Sequence, residues 1–186
     1  MSSVILHTAL SGVVLRQWTD EDRGPFADLN ADPEVMRYFP APLGRAESDA
    51  AVDRIIGHLE REGFGLWAVD VDGRFAGYVG LNRTAVDTPM GPHVEVGWRL
   101  ARWAWGRGVA TEAARAAISD GVARFGLAEI YSFTTAGNWR SRAVMERLGM
   151  VRRPDLDFDH PGTPGWWGQR HVVYQARVGG AGVSRG

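Results

Sequence analysis

The chain contains no cysteine and no lysine. Without a thiol it can form no disulfide, no zinc–thiolate centre and no cysteine-bound acyl intermediate. Without a lysine amine it can form no Schiff base, and the phosphate loop G-x-x-x-x-G-K-[ST] is excluded. All 21 basic residues are arginine and are matched by 22 acidic ones, for a formal net charge of −1. That balance provides no overall field for nucleic acid or an anionic membrane, so neither is expected as a partner. No apolar run approaches the roughly 20 residues that span a bilayer. The opening MSSVILHTAL lacks the basic start and the apolar length of a signal peptide, so a cytoplasmic location is expected. His93, His160 and His171 are scattered without ligand spacing, which predicts no metal site and surface or strand roles for all three.

At 186 residues the chain is long enough for one domain with a substantial core. The expected extent is residues 8–178, after a loose lead-in over residues 1–10 and before a disordered tail at 179–186. Val13–Trp18 alternates as a strand. Thr19-Asp20-Glu21-Asp22 marks a helix start, with Thr19 as N-cap and Asp22 three residues on. Pro33 opens a short helical turn through Tyr38. Val52, Ile55, Ile56 and Leu59 give Glu47–Arg61 one apolar helical face. Asp72-Gly73 joins Phe64–Val71 to Phe75–Asn82 as a hairpin. After a loop over Thr84–Pro92, Val94–Leu100 is a strand, Ala110–Phe125 a long helix capped by Gly126, Ile130–Thr134 a strand, and Ser141–Leu148 a short helix. Val151–Phe158 and His171–Arg177 are read as two last strands around the loop His160–Gly168. Strands in runs favour an α+β arrangement, a mixed and mostly antiparallel twisted sheet flanked by helices. The helix between Val94–Leu100 and Ile130–Thr134 implies that these two strands are parallel.

The most specific stretch follows the strand at Glu95. Gly106 and Gly108 in Trp105-Gly106-Arg107-Gly108-Val109-Ala110-Thr111 leave a helix start with accessible N–H groups, a ready anion site. Arg107 can add a charge-assisted bond. Two glycines alone also suit a plain strand-to-helix turn. A full G-x-G-x-x-G is absent, since Thr111 stands at the third glycine, and the turn follows a run of strands; both argue against ATP and NAD.

Glu95-Val96-Gly97-Trp98-Arg99-Leu100, Trp105 through Ala113, Asn138-Trp139-Arg140-Ser141 and Glu146-Arg147-Leu148-Gly149-Met150 together resemble the GNAT superfamily of N-acetyltransferases, and within it the RimJ/RimL-like branch. The resemblance implies a single GNAT-like domain with acetyl-CoA as co-substrate. It places the pyrophosphate on the N–H groups of Arg107, Gly108, Val109, Ala110 and Thr111. The pantetheine arm pairs as an added strand with Trp98, Arg99 and Leu100. Asn138 contacts that arm and Ser141 lies near the sulfur. Of the basic cluster Arg140, Arg142 and Arg147, Arg142 is placed among the cofactor ligands. Trp103 departs from the Gln or Arg that the superfamily often carries three residues before the first glycine, which bears on the loop contacts.

Acetyl transfer to an amine needs a neutral amine, a stabilised oxyanion and a protonated leaving thiolate. Glu95 is the candidate general base, acting through a water; its alternative is a structural carboxylate. Ser141 is the candidate acid or hydrogen-bond donor to the sulfur; its alternative is a helix cap. The expected reaction is direct attack in a ternary complex on a protein N-terminus or a small-molecule amine. Tyr38-Phe39-Pro40 and Trp166-Trp167 are candidate walls of the acceptor site, and the tryptophan pair could equally be the contact of a homodimer. The competing reading is an acyl-CoA-binding sensor or interaction module without turnover.

Overall fold

Alternating apolar side chains build a nine-stranded sheet in the computed structural model, which describes residues 5–84 and 86–177. Its strands are β1 (Leu6–His7), β2 (Val13–Arg16), β3 (Leu66–Val71), β4 (Arg74–Thr84), β5 (His93–Leu100), β6 (Glu129–Thr135), β7 (Val151–Arg152), β8 (Phe158–Asp159) and β9 (Arg170–Arg177). Their order is β1-β2-β3-β4-β5-β6-β9-β7, with β8 also pairing β9. The β5–β6 pair is parallel, as the intervening helix requires, and the other pairs are antiparallel. Among the described residues four α-helices accompany the sheet: α1 (Arg23–Ala31), α2 (Arg45–Glu62), α3 (Val109–Phe125) and α4 (Trp139–Arg147).

The local signals act as expected in several places. Asp72 (φ 53°) and Gly73 (φ 80°) turn the β3–β4 hairpin. Gly126 ends α3 in the left-handed conformation. The Thr19 backbone N–H donates to Asp22 Oδ2 at 2.8 Å, which anchors a short 3-10 turn leading into α1. Asp22 is only 2% exposed. The two terminal nitrogens of Arg16, Nη1 and Nη2, reach its two oxygens at 2.8 Å each.

Three expectations change. Leu6 pairs with Leu15, so part of the expected lead-in belongs to the sheet. Residues 33–39 form turns rather than a helical element. Val151–Phe158 is not one strand. Pro154 has no N–H for a ladder, and a 3-10 turn at Pro154–Leu156 separates β7 from β8. The tail at 179–186 lies outside the described residues.

Helix α3 packs on the face of β4 and β5 that carries Val79, Leu81, Val96 and Leu100, where Val109, Ala113 and Ala117 join the core. By strand alternation Glu95, Gly97 and Arg99 face the opposite side. Gly77 allows β4 to run tight against β5, because a Cβ there would lie 2.1 Å from the Arg99 carbonyl oxygen.

Candidate active site

Strands β5 and β6 touch at one register pair, Glu95 with Tyr131, and then separate. Ser132 sits at the apex of the wedge, where its Oγ donates to the Val96 carbonyl at 2.9 Å. Beyond it the outer edge of β5 has no strand beside it among the described residues. Trp105 Nε1 takes the Leu100 carbonyl at 2.8 Å. The backbone N–H and C=O of Trp98 lie between those two capped carbonyls and point into the same gap, since alternate residues bond to the same side. They form a donor–acceptor pair for an extended, amide-bearing chain.

At the open end of the wedge, Gly106 (φ 72°) and Gly108 (φ 78°) shape the turn into α3. The N–H groups of residues 106–111 donate to no described acceptor, and the first to do so is that of Glu112, to the Gly108 carbonyl at 3.0 Å. A Cβ on Gly106 would meet nothing within 4 Å, so the turn is open on that side. These donors and the positive end of α3 suit a pyrophosphate. Wedge and turn belong to one cleft of about 1250 Å³. Its size, its free amide edge and its donor turn fit acetyl-CoA.

Glu95 stands at the foot of the cleft. Burial of its carboxyl pushes the pKa from 4.5 up to about 7; the side chains of Asn82 and Thr84 act in the opposite direction without cancelling it. Asn82 Nδ2 donates to Glu95 Oε1 at 3.4 Å. A carboxyl that titrates near neutrality beside an open cleft suits proton transfer.

Asn138, not Ser141, caps α4: Asn138 Oδ1 accepts the Ser141 backbone N–H at 3.3 Å. Because a backbone N–H can only donate, this fixes which way the amide faces. Its nitrogen is then directed to Thr134 Oγ1 at 2.9 Å and to Ser141 Oγ at 3.0 Å. Ser141 accepts that bond and donates to no described acceptor, which leaves its O–H for the cleft it lines.

The structure brings Glu95, Trp98, Arg99, Leu100, Gly108, Val109, Ala110, Thr111, Asn138 and Ser141 to one cleft. Of the three residues expected to pair with the pantetheine arm, however, only Trp98 offers both backbone groups, since the Arg99 backbone faces Tyr78 on β4 and Trp105 holds the Leu100 carbonyl. Arg107 and Arg142 are not on its wall. Arg107 is exposed, and its backbone N–H is one of the free donors of the turn. Arg142 is tied elsewhere: Nε donates to Tyr174 Oη at 3.2 Å, Nη1 donates to the Ala136 carbonyl at 3.1 Å, and the guanidinium covers the Trp139 ring at 4.1 Å. Arg140 and Arg147 line the cleft instead, and Arg140 lies 4.6 Å over the Trp105 ring. Helical spacing explains the exchange: one turn of α4 sends neighbouring arginines in different directions.

His93 and His171 are strand residues, in β5 and β9, as expected; His93 is buried, and His160 and His171 also line the cleft. The His160 and His171 rings lie 5.1 Å apart. Burial lowers the pKa of both. Their one signal in the sequence was their position at the two ends of the aromatic loop. Ser132 left no signal, since a serine in a strand is unremarkable until its neighbour splays away. Tyr38, Phe39, Pro40 and Trp166 line the cleft, whereas Trp167 is 68% exposed and meets Tyr38 edge-on at 6.1 Å.

A splayed parallel strand pair, a donor-rich helix start and a neutral-range carboxyl thus meet on one mixed sheet. The acetyltransferase (GNAT) domain profile matches residues 13–151, and the chain belongs to that family. It is 32% identical over 132 residues to the FsC-acetyl coenzyme A-N(2)-transacetylase of Aspergillus fumigatus, covering 66% of this chain and 55% of that protein. Among solved structures, an acetyltransferase from Agrobacterium tumefaciens superposes with TM-score 0.77 at 23% identity, covering 96% of each chain. RimL, the ribosomal L7/L12 alpha-N-protein acetyltransferase, in complex with coenzyme A superposes with TM-score 0.74 at 14% identity, covering 94% of this chain and 98% of that one. Both likenesses are of fold. Among the described residues no helix is long and apolar enough to cross a membrane.

Proposed function

We propose that the protein moves the acetyl group of acetyl-CoA to a primary amine by direct attack in a ternary complex. The observation that carries this reading is the placement of Glu95, with its pKa near 7, at the foot of the wedge whose open end is the donor turn. The turn at residues 107–111 would hold the pyrophosphate, the Trp98 backbone and Asn138 the pantetheine arm, and Arg140 or Arg147 the outer phosphates. Arg142 has no part in this assignment. The co-substrate supplies an activated thioester carbonyl. Ionised Glu95, through a water, takes a proton from the attacking amine as the C–N bond forms. The C–S bond then breaks, and the Ser141 hydroxyl donates to the departing sulfur. The motifs at the turn and at Asn138–Ser141 support a place in the RimJ/RimL-like branch. The acceptor is a small-molecule amine or a protein N-terminus, met in the cytoplasm.

Calorimetric titration of acetyl-CoA, with ATP and NAD as controls, tests the cofactor. Micromolar binding of acetyl-CoA alone is expected. No heat with folded protein would refute the reading. For Ser141→Ala we expect kcat to fall about 10- to 100-fold, the worth of one hydrogen bond to a charged group. Unchanged turnover in a folded variant removes Ser141 from the chemistry.

A further inference from the structure

Arg99 is a cation of the cleft wall whose side chain is unaccounted for by the co-substrate. It projects from β5 on the same face as Glu95, away from α3 and its phosphate turn, and its own backbone pairs with Tyr78 on β4. Its guanidinium lies 4.0 Å from the Phe39 ring centre and 5.6 Å from that of Tyr78. Nη1 donates to Asn30 Oδ1 at 2.7 Å. Asn30 is fully buried and its own amide donates to Ser48 Oγ at 2.9 Å, so side chains from α1 and α2 together fix the arginine. No described carboxylate pairs with it. Glu34, an acid on the same wall, pairs instead with Arg37 at 3.5 Å. Nε is buried without a partner.

An arginine this well positioned, half-buried on aromatic rings and without a counter-ion, is incomplete in the free protein. Withdrawing a charge from water is costly unless an opposite charge meets it. Its planar fork matches a carboxylate. Between Glu95 and Arg99 lies Gly97, where an added Cβ would meet nothing within 4 Å, so the floor between the two is bare.

We propose that Arg99 receives a carboxylate carried by the acceptor, and that the acceptors are small amines of di- or tripeptide size. This rests on the acetyltransferase reading. Four residue steps along β5 place the two backbones about 13 Å apart. A bridging water at Glu95 and a hydrogen bond at Arg99 take up part of that distance, which leaves room for no more than about three extended residues between amine and carboxylate.

The test measures CoA release from acetyl-CoA with Ala-Ala and Ala-Ala-Ala, each against its C-terminal amide, with butylamine as a plain amine. The expected result is a kcat/KM about tenfold or more higher for the acids than for the amides in the wild-type protein, the size of one charge-assisted pair. In Arg99→Met the ratio should fall to about one while acetyl-CoA affinity by calorimetry is unchanged; a purely structural arginine would leave the ratio alone. Wild-type protein that uses amide and acid equally, or butylamine but no peptide acid, overturns the proposal and leaves the transferase reading standing. The wild-type ratio decides this even if the variant does not fold. No CoA release with any amine, despite acetyl-CoA binding, overturns the transferase reading itself.

Discussion

Glu95→Gln is expected to lower kcat/KM about 10²- to 10⁴-fold above neutral pH, the usual contribution of a positioned general base. The pH profile identifies the cause. In the wild-type protein Glu95 is protonated below about 7 and ionised above it. The wild-type profile should therefore carry a break near pH 7 set by Glu95 in addition to the limb set by deprotonation of the acceptor amine, and the Gln variant should lose that break and keep only the limb of the amine. Stability runs the other way. The folded pKa stands above the ordinary 4.5, so the folded protein holds this proton more tightly than the unfolded chain. Stability is lost as pH rises from 4.5 through about 7. The amide variant does not pay this cost and should be at least as stable as wild type at pH 8. Loss of activity together with unchanged or raised thermal stability would show a chemical role. Loss of both would return Glu95 to a structural one. Steady-state kinetics from pH 5.5 to 9 with parallel thermal melts provide both readings.

Asp22→Ala is expected to cost about 3 kcal/mol, because it removes a buried carboxylate that holds both the Arg16 fork and the Thr19 N–H and leaves Arg16 only Asp70 at 3.5 Å and the Gln17 carbonyl at 3.0 Å. For a domain of this size that is a fall in Tm of about 6–12 °C. Burial alone would raise the Asp22 pKa, but the hydrogen bonds from Arg16 and from Thr19 outweigh it and hold the carboxyl below its ordinary 3.8. The sign follows directly. The ionised form contributes stability above pH 3.8, and that contribution disappears as pH falls through the lower folded value. The gap between wild type and variant should thus be full at neutral pH and narrow in acid. Thermal melts at pH 7 and pH 3 measure it. A variant within about 0.5 kcal/mol of wild type, the range of ordinary surface changes, would show that the pair does not stabilise the fold.

These two residues also differ in how far they could be read in advance. Asp22 was visible as a helix-start residue, because Thr19 and Asp22 meet within one turn. Its clamp on Arg16 depends on the end of β2 returning to the same place, which no local pattern records. Glu95 stood out as a carboxyl interrupting an apolar strand. That it titrates near 7 depends on the burial of its carboxyl in the folded sheet, beside Asn82 and Thr84 of β4. The arginines of α4 show the limit most plainly: spacings of two and five residues do not say which side chain turns to the cleft, and Arg140 and Arg147 face it where Arg142 does not.

What the sequence by itself determined is local or negative. The missing cysteine and lysine exclude whole mechanisms, the paired glycines set a donor-rich helix start, and strand and helix periods place most of the longer elements, because all of these depend on neighbours within a turn or on composition. Only the tertiary structure decided the splay of β5 from β6, the turning of Arg142 from the cleft onto Tyr174, and the bond between Asn30 and Arg99. Those depend on how elements tens of residues apart pack against one another, and burial, counter-ion and direction of a side chain are properties of that packing rather than of the chain.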